Sequence, residues 1–328
     1  MANPYVFIVG CPRSGTTLVQ RMMNAHPQIA IIFETKWIPR LFDRRKGLTK
    51  EGLVTPELIP HLCGQRDFDR LHIDRKQLEA LLEADRQATY AEFVSRIFDL
   101  YGERRGKSLV GDKTPGYVRW LDTLHTLWPK ARFVHLVRDG RDVFLSTADW
   151  PKGQQKKPAT FAAWKDDPVS TAAFWWELNV RLGRAVGKLL GPELYYEVRY
   201  ESLVRNPVEE CTALCAFLGL PYDEAMPRFH EGRTNTKPGL SAKHAWLPIT
   251  PGLRNWRSQM TAEDAERFEA AAGELLDELG YPRVISSPQP EAVEHALNIR
   301  DLLAQDPSWN QMAPQGQEGK SKADSAAA

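Results

Sequence analysis

The sequence has little cysteine, with four residues in 328 at Cys11, Cys63, Cys211 and Cys215. They have neither the paired spacing of a zinc site nor the density of a disulfide scaffold, so a reducing compartment is expected. The chain also lacks an apolar run long enough to cross a bilayer, and its first residues lack the basic region and the small-residue cleavage site of a secretory signal. We therefore expect a cytoplasmic protein without a membrane span.

No charge of one sign dominates the composition. Lys and Arg together number 43 and Asp and Glu 42, for a formal net charge of +1. Such a chain has no overall electrostatic attraction to nucleic acid or to an anionic membrane, so neither is expected as a partner. Any anion site must therefore be local.

Short runs rich in β-branched and aromatic residues alternate with longer amphipathic stretches. The runs typical of buried parallel strands are 5–9, 29–33, 108–110, 132–137 and 194–198. Helices are predicted over 77–100 with a break near Thr89, over 174–190, and from a cap at Thr261 to Gly280. This alternation predicts an α/β fold with a central parallel sheet flanked by helices.

The most informative segment follows the first predicted strand. Gly10 begins a loop of sequence GCPRSGTT, and a predicted helix comes directly after it. Glycines let backbone N–H groups surround an anion, and the helix start adds its positive dipole end. The frame is that of a Walker A loop with Thr16 in the lysine position, which disfavours a nucleoside triphosphatase. Arg13 instead provides a cation in the middle of the loop, suited to a terminal oxyanion. The alternative is an ordinary β–α turn without a ligand.

A second candidate anion site follows the fourth predicted strand. Arg138 ends that strand, and Ser146 lies about two turns into the next predicted helix. A cation and a hydroxyl in these positions could hold a phosphate separate from the first, which indicates a bisphosphorylated ligand. Taken alone, the string RDGRD is more typical of a salt-bridged turn, so this interpretation depends on its pairing with the first loop.

The segments CPRSGTTL and LVRDGRDVFLS resemble the 5′-phosphosulfate loop and the 3′-phosphate element of the sulfotransferases that use 3′-phosphoadenosine-5′-phosphosulfate (PAPS). The resemblance runs from about residue 5 to 281 and is dense only around the motifs. It implies a three-layer, P-loop-like fold and metal-free, in-line transfer of a sulfuryl group to an acceptor hydroxyl. The residues that it assigns to the 5′-phosphosulfate are Arg13, Ser14, Gly15, Thr16 and Thr17, and those for the 3′-phosphate are Arg138 and Ser146.

The segment after the second predicted strand is similar to the tyrosylprotein sulfotransferase branch, in which a run like AHPxxxxxxETxxIPR follows the loop. The matching glutamate of that branch is the catalytic base, so the resemblance assigns this role to Glu34. The alternative is a surface glutamate at a helix start. The branch has arginine where Lys36 stands, which leaves acceptor recognition open. The segment GDKTP resembles the branch's NKDP, which implies that Lys113, together with Arg13, stabilises charge on the transferring group.

Three further residues are candidates for contact with the nucleotide. The stretch 251–257 is similar to the family's Gly-x-x-x-x-Trp segment, which assigns Arg254 or Arg257, although basic-aromatic strings also occur in plain surface packing. Tyr200 matches a family tyrosine beside the nucleotide, and a core tyrosine is the alternative.

We expect residues 1–283 to form the sulfotransferase domain, with a helical insertion on the acceptor side at about 42–106. Residues 284–328 are predicted to be a largely disordered extension with a short helix near 291–305. A P-loop kinase or nucleotidase, and a nucleotide-binding module without catalysis, are the rival functions. The acceptor is open between a peptide tyrosine, a sugar, a lipid and a small metabolite. The oligomeric state is open as well, with a homodimer as one option.

Overall fold

The computed structural model describes residues 4–149, 158–231 and 248–312. They divide into two compact units, one within 1–138 and 180–253 and the other within 139–179 and 254–328. This division does not follow the expected boundary at residue 283, which stays a prediction, as does the insertion at 42–106. No helix in the described ranges combines the length and the hydropathy needed to span a bilayer.

The first unit contains a sheet of five parallel strands. Its order is β2-β3-β1-β4-β5, with β1 (Val6–Gly10) at the centre between β3 (Leu109–Lys113) and β4 (Arg132–Val137). β2 (Ile29–Phe33) and β5 (Tyr195–Arg199) form the edges. The predicted α/β class is therefore confirmed. Since the chain goes to one side of β1 for β2 and β3 and to the other for β4, the strand order reverses at the carboxyl end of β1, where ligands of such sheets bind.

Helices surround the strands in sequence. Those of the first unit are α1 (Thr16–Ala25), α2 (Ile38–Asp43), α3 (Leu58–Cys63), α4 (Arg75–Ala84), α5 (Tyr90–Glu103), α6 (Leu121–Leu127), α9 (Tyr200–Arg205) and α10 (Pro207–Leu218). The second unit contains α7 (Gly140–Ala148), α11 (Trp256–Gln259), α12 (Ala262–Glu278), α13 (Pro290–Gln305) and α14 (Pro307–Asn310). The long helix α8 (Pro168–Leu190) begins in the second unit and ends in the first.

Alternation along the strands gives each face of the sheet its own apolar core. Phe7 and Val9 belong to a core that includes Phe98 of α5. Ile8 points to the other face and belongs to a core that includes Met22 of α1. Helices thus bury both faces, as a parallel sheet requires.

Two boundaries have clear local causes. The helix predicted over 77–100 is broken as expected, because Thr89 starts α5 with a capping box in which the side chains of Thr89 and Glu92 each accept from the other's backbone N–H. The third strand is longer than predicted and includes Asp112 and Lys113. Both side chains are fully buried, a placement that their polarity conceals in the sequence.

The second unit is held by a buried ion network. The guanidinium of Arg141 lies 2.8 Å from Asp139 and 2.7 Å from Glu269 of α12, and it covers the Trp256 ring at 3.6 Å. Helix α12 begins as predicted, with Thr261 accepting from the Asp264 N–H. The helix expected near 291–305 is present as α13. Residues 313–328 of the predicted disordered extension lie outside the described residues.

Candidate active site

The loop between β1 and α1 is a narrow turn built around two glycines. Gly10, Arg13 and Gly15 have positive φ angles of 149°, 79° and 100°. A Cβ at Gly10 would lie 2.5 Å from the carbonyl oxygen of Leu136, so only glycine fits beside β4. Gly15 also occupies the N-cap position of α1, where no side chain satisfies the first helical N–H groups. These groups therefore point to the loop's interior with a favourable dipole for an anion.

The surroundings of Ser14 indicate whether this loop fits the phosphosulfate that the sequence predicts. Its side chain is buried, and its Oγ has no hydrogen-bond partner among the described residues. Buried hydroxyl groups are nearly always hydrogen-bonded, so a missing partner at this position suits a ligand with anionic oxygens. Thr16, the first residue of α1 and two positions after Ser14, is also buried. The loop residues fit the expected group.

Replacing Gly15 with Ala is expected to destabilise the protein by about 1–3 kcal/mol more than replacing Gly52 with Ala, because a Cβ at Gly15 would meet the Tyr200 ring. The contact would be 2.5 Å from Tyr200 Cδ2, whereas nothing lies within 4 Å of a Cβ at Gly52. The two glycines have similar φ angles of 100° and 91°, so backbone strain is matched. Urea unfolding of both variants measures the difference, and equal losses would contradict the steric explanation.

Tyr200 connects the loop with the second predicted anion site. It begins α9 directly after β5 and is 8% exposed. Its ring lies against Gly15, and the guanidinium of Arg138 covers the same ring at 4.1 Å from the centroid. The structure thus brings together three residues that the sequence predicted separately. The alternative of a core tyrosine describes its burial but not its position between the two motifs.

The centre of the site is a contact between three strand or helix ends. Lys113 ends β3 and pairs in register with Phe33 of β2, so Glu34 follows directly beside it. The Lys113 Nζ lies 2.9 Å from Glu34 Oε1 and 3.3 Å from Thr17 Oγ1. The predicted cation therefore contacts both the predicted base and the phosphosulfate loop.

The protonation states follow from burial and charge. The Lys113 side chain is fully buried, and burial lowers its pKa against the opposing effect of Glu34. Burial by itself would raise the pKa of Glu34, but the ammonium groups of Lys113 and Lys36 outweigh it and lower that pKa to about 2. Lys36 lies 2.6 Å from Glu34 Oε2. At neutral pH Glu34 is therefore a carboxylate, with the nitrogen atoms of Lys113 and Lys36 each within 3 Å of one of its oxygens.

Two neighbours of this centre have no predicted role. Lys36 departs from the arginine of the tyrosylprotein branch, and its two-residue spacing from Glu34 is the one sequence signal for their ion pair. Phe33 is the last residue of β2, and Lys113 Nζ lies 3.8 Å from its ring centroid. A cation over an aromatic face is a favourable contact, and no sequence pattern predicts it.

The remaining predicted residues keep their roles as predictions. Arg13 is half-buried in the loop. Ser146 is buried in α7 of the second unit. Arg254 forms an ion pair with Asp149 at 2.5 Å, and the exposed Arg257 lies over the Trp256 ring at 4.4 Å, both within that same unit. In the described ranges no group of three or more His, Cys, Asp or Glu side chains could hold a metal ion.

A family model described as "Sulfotransferase family" matches residues 4–224. The chain belongs to the sulfotransferase family. The predicted enzyme class, a PAPS-dependent sulfotransferase that moves a sulfuryl group to an acceptor, is thereby confirmed, and a kinase or a module without catalysis is not favoured.

Curated relatives of this sulfotransferase include enzymes named for tyrosine. It is 25% identical over 309 residues to protein-tyrosine sulfotransferase 1 of Danio rerio, covering 90% of this chain and 79% of the relative. It is 26% identical to protein-tyrosine sulfotransferase 2 of Gallus gallus, covering 87% and 71%. The nodulation protein NoeE of Sinorhizobium fredii is 27% identical, with 84% and 65% covered. The predicted resemblance to the tyrosylprotein branch is confirmed.

Solved structures share the fold of this sulfotransferase. The sulfotransferase domain of the Synechococcus PCC 7002 olefin synthase superposes with a TM-score of 0.54 at 24% identity, covering 92% of this chain and 96% of the domain. The sulfotransferase domain of the curacin biosynthetic pathway gives 0.51 at 19% identity, covering 91% and 98%. At these identities the comparison confirms the P-loop-like fold alone.

Proposed function

We propose that this protein transfers the sulfuryl group of PAPS to an acceptor hydroxyl, with Glu34 as the general base and Lys113 as the main fixed cation. The observation that supports this assignment most is the contact of Lys113 Nζ with both Glu34 Oε1 and Thr17 Oγ1. It links the candidate base to the phosphosulfate loop through a single buried ammonium group.

The donor would be held by the two predicted motifs. The backbone of the loop, the Ser14 hydroxyl and the N-terminus of α1 suit the 5′-phosphosulfate, and PAPS bound there supplies the sulfuryl group. Arg138 suits the 3′-phosphate, because its guanidinium is fixed against Tyr200 beside the loop. Ser146, Arg254 and Arg257 are included in the proposal from their sequence motifs, and Arg13 from its position in the loop.

The ion pair between Lys113 and Glu34 suggests how Glu34 becomes a stronger base during the reaction. In the resting state Lys113 and Lys36 keep Glu34 ionised, so it can accept a proton, but its low pKa makes it a weak base. If the Lys113 ammonium turns towards negative charge on the transferring group, Glu34 loses its strongest acidifying contact and its pKa rises. Lys113 would then stabilise the transition state and strengthen the base in the same movement.

A weak resting base also favours an acidic acceptor. Proton transfer to a carboxylate from a phenol, whose pKa is about 10, is less unfavourable than transfer from an aliphatic alcohol. The relatives named protein-tyrosine sulfotransferases give the same indication. We therefore propose a phenolic hydroxyl as the acceptor.

The cytoplasmic location, the absence of a required metal and a homodimer are also proposals.

Thermal stabilisation by nucleotides tests the proposed donor site. We expect 3′,5′-bisphosphoadenosine to raise the melting temperature, and ATP with or without magnesium to raise it far less, because a ligand stabilises only the state that it binds. Equal stabilisation by ATP and magnesium would contradict the proposal and favour a kinase.

The variant Arg138→Ala makes this test specific for the 3′-phosphate. It should reduce the difference in thermal stabilisation between 3′,5′-bisphosphoadenosine and adenosine 5′-monophosphate. The control is Arg184→Ala, which removes a different guanidinium, one that pairs with Glu197 at 3.1 Å. Unchanged discrimination in Arg138→Ala would refute its assignment.

A further inference from the structure

The backbone that presents Glu34 is strained. Glu34 and Lys36 have positive φ angles of 49° and 57°, in the left-handed region that favours glycine. Residues in sparsely populated regions cost about 1–3 kcal/mol each and persist only where their surroundings fix them. Thr35 lies between them, and its carbonyl accepts from the Trp37 N–H at 2.7 Å, which closes a tight turn. The groups that fix Thr35 therefore determine whether the turn persists.

Asp112 holds Thr35 from the neighbouring strand. Its Oδ2 accepts a hydrogen bond from the Thr35 N–H at 3.1 Å, and its side chain is fully buried. Burial raises the pKa of Asp112 to about 6, against hydrogen bonds from threonine groups and the charge of Lys113. Burying the Asp112 carboxylate next to Lys113 destabilises the fold, and the hydrogen bond from the Thr35 N–H offsets this cost only in part.

Tyr117 holds Thr35 from the other side. It lies in a short 3₁₀ helix, Pro115–Arg119, and is 3% exposed. Its hydroxyl lies 2.7 Å from Thr35 Oγ1 and accepts from the N–H of Ile38, the first residue of α2, at 3.1 Å. One phenol oxygen thus joins the turn to the start of the following helix.

We propose that Asp112, Thr35 and Tyr117 form a buried clamp that holds the strained turn and so directs the Glu34 carboxylate to Lys113. The three are positioning residues, and the proposal rests on the proposed function of Glu34 as the base. If the clamp opens, Glu34 relaxes to a negative φ angle, its side chain changes direction, and the contact of its Oε1 with Lys113 Nζ is lost. Misplacement of a reacting group by about 1 Å can cost on the order of a hundredfold in rate.

Two nearly isosteric variants test the clamp. Thr35→Val and Tyr117→Phe should each lower kcat by about tenfold and leave the dissociation constant for 3′,5′-bisphosphoadenosine unchanged, because the loop of the donor site is not altered. The assay follows release of 3′,5′-bisphosphoadenosine from PAPS with a tyrosine-containing peptide as the acceptor. Asp112→Ala should lose activity similarly, and Asp112→Asn should restore most of it, since an amide oxygen can still accept from the Thr35 N–H.

The Glu34→Gln background separates positioning from general damage. If the clamp acts through the carboxylate, Thr35→Val should have little further effect on kcat once Glu34 is replaced. A further tenfold loss in that background would overturn the proposal. Tyr5→Phe is the matched control, because it removes a tyrosine hydroxyl that donates to Asp99 of α5 at 3.1 Å. It should keep the wild-type kcat.

The failure of the clamp differs from the failure of the proposed function. Wild-type kcat in Glu34→Gln would defeat the base, whereas a loss in Glu34→Gln with wild-type kcat in Thr35→Val and Tyr117→Phe would defeat the clamp alone. Amide hydrogen exchange over residues 34–38 gives a readout that needs no acceptor. It should become about tenfold faster in Tyr117→Phe than in Tyr5→Phe, and equal rates would overturn the proposal.

Discussion

Glu34→Gln is expected to lower turnover by about 10²–10⁴-fold, the usual contribution of a positioned general base. The amide cannot accept the acceptor's proton at neutral pH, while the loop from Gly10 to Thr17 is left intact. Binding of 3′,5′-bisphosphoadenosine should therefore be nearly unchanged. Steady-state kinetics and calorimetric titration of the same preparation measure the two quantities.

The control for this variant is Glu197→Gln. Glu197 resembles Glu34 in exposure, with side chains 22% and 19% exposed, and it also pairs with two cations, Arg184 and Arg199. It differs in lying on β5 without contact to Lys113. Loss of turnover in both variants would indicate general damage from breaking a paired carboxylate. Equal loss of nucleotide binding and turnover in Glu34→Gln would remove Glu34 as the base.

Lys113→Met is expected to lower turnover by about 10²–10³-fold, comparable to the loss of one group that stabilises developing negative charge. It should also create a new pH dependence. Lys113 is the largest of the effects that lower the pKa of Glu34, and burial acts in the opposite direction. In the variant that pKa rises, so the base becomes protonated as the pH falls and activity declines on the acid side. In kcat/KM, which reports the free enzyme, the wild type should not show this decline, because the resting pKa of Glu34 is about 2.

Lys107→Met separates this effect from the loss of any partly buried lysine. Lys107 lies just before β3, and its ammonium donates to the backbone carbonyls of Asn24 and His26 at 2.6 and 3.0 Å. Its removal therefore costs stability without altering Glu34. Its kcat/KM profile should keep the wild-type shape between pH 5 and 8. If Lys113→Met showed that same flat profile, the electrostatic link between Lys113 and Glu34 would be refuted.

The sequence predicted the strands and the anion loop because both depend on local rules. Apolar β-branched runs specify buried strands, and the glycines at positions 10 and 15 mark a turn whose φ angles of 149° and 100° favour glycine. The roles of Glu34 and Lys113 follow from the resemblance of their segments to the tyrosylprotein branch, and the carboxyl ends of β2 and β3 bring the two residues to the same edge of the parallel sheet. Their contact then follows from the register between Phe33 and Lys113.

The supporting contacts could not be predicted, since they depend on tertiary structure. Positive φ angles at Glu34 and Lys36 leave no signal in residues that are not glycine. Asp112 is a polar residue in a buried strand position, and the pattern of apolar residues does not predict the burial of its side chain. The Tyr117 hydroxyl reaches Thr35 across 82 residues of sequence, and no short-range pattern fixes such a pair.

The role of Glu34 as the base is tested most directly by a single-turnover reaction of PAPS with a tyrosine-containing peptide, in wild type and in Glu34→Gln. Mass spectrometry of the acceptor and quantification of 3′,5′-bisphosphoadenosine follow both products together. We expect one sulfated acceptor for each bisphosphate formed in the wild type, and bound but unreacted PAPS in Glu34→Gln. Sulfation at the wild-type rate in Glu34→Gln would contradict the assignment of Glu34 as the base.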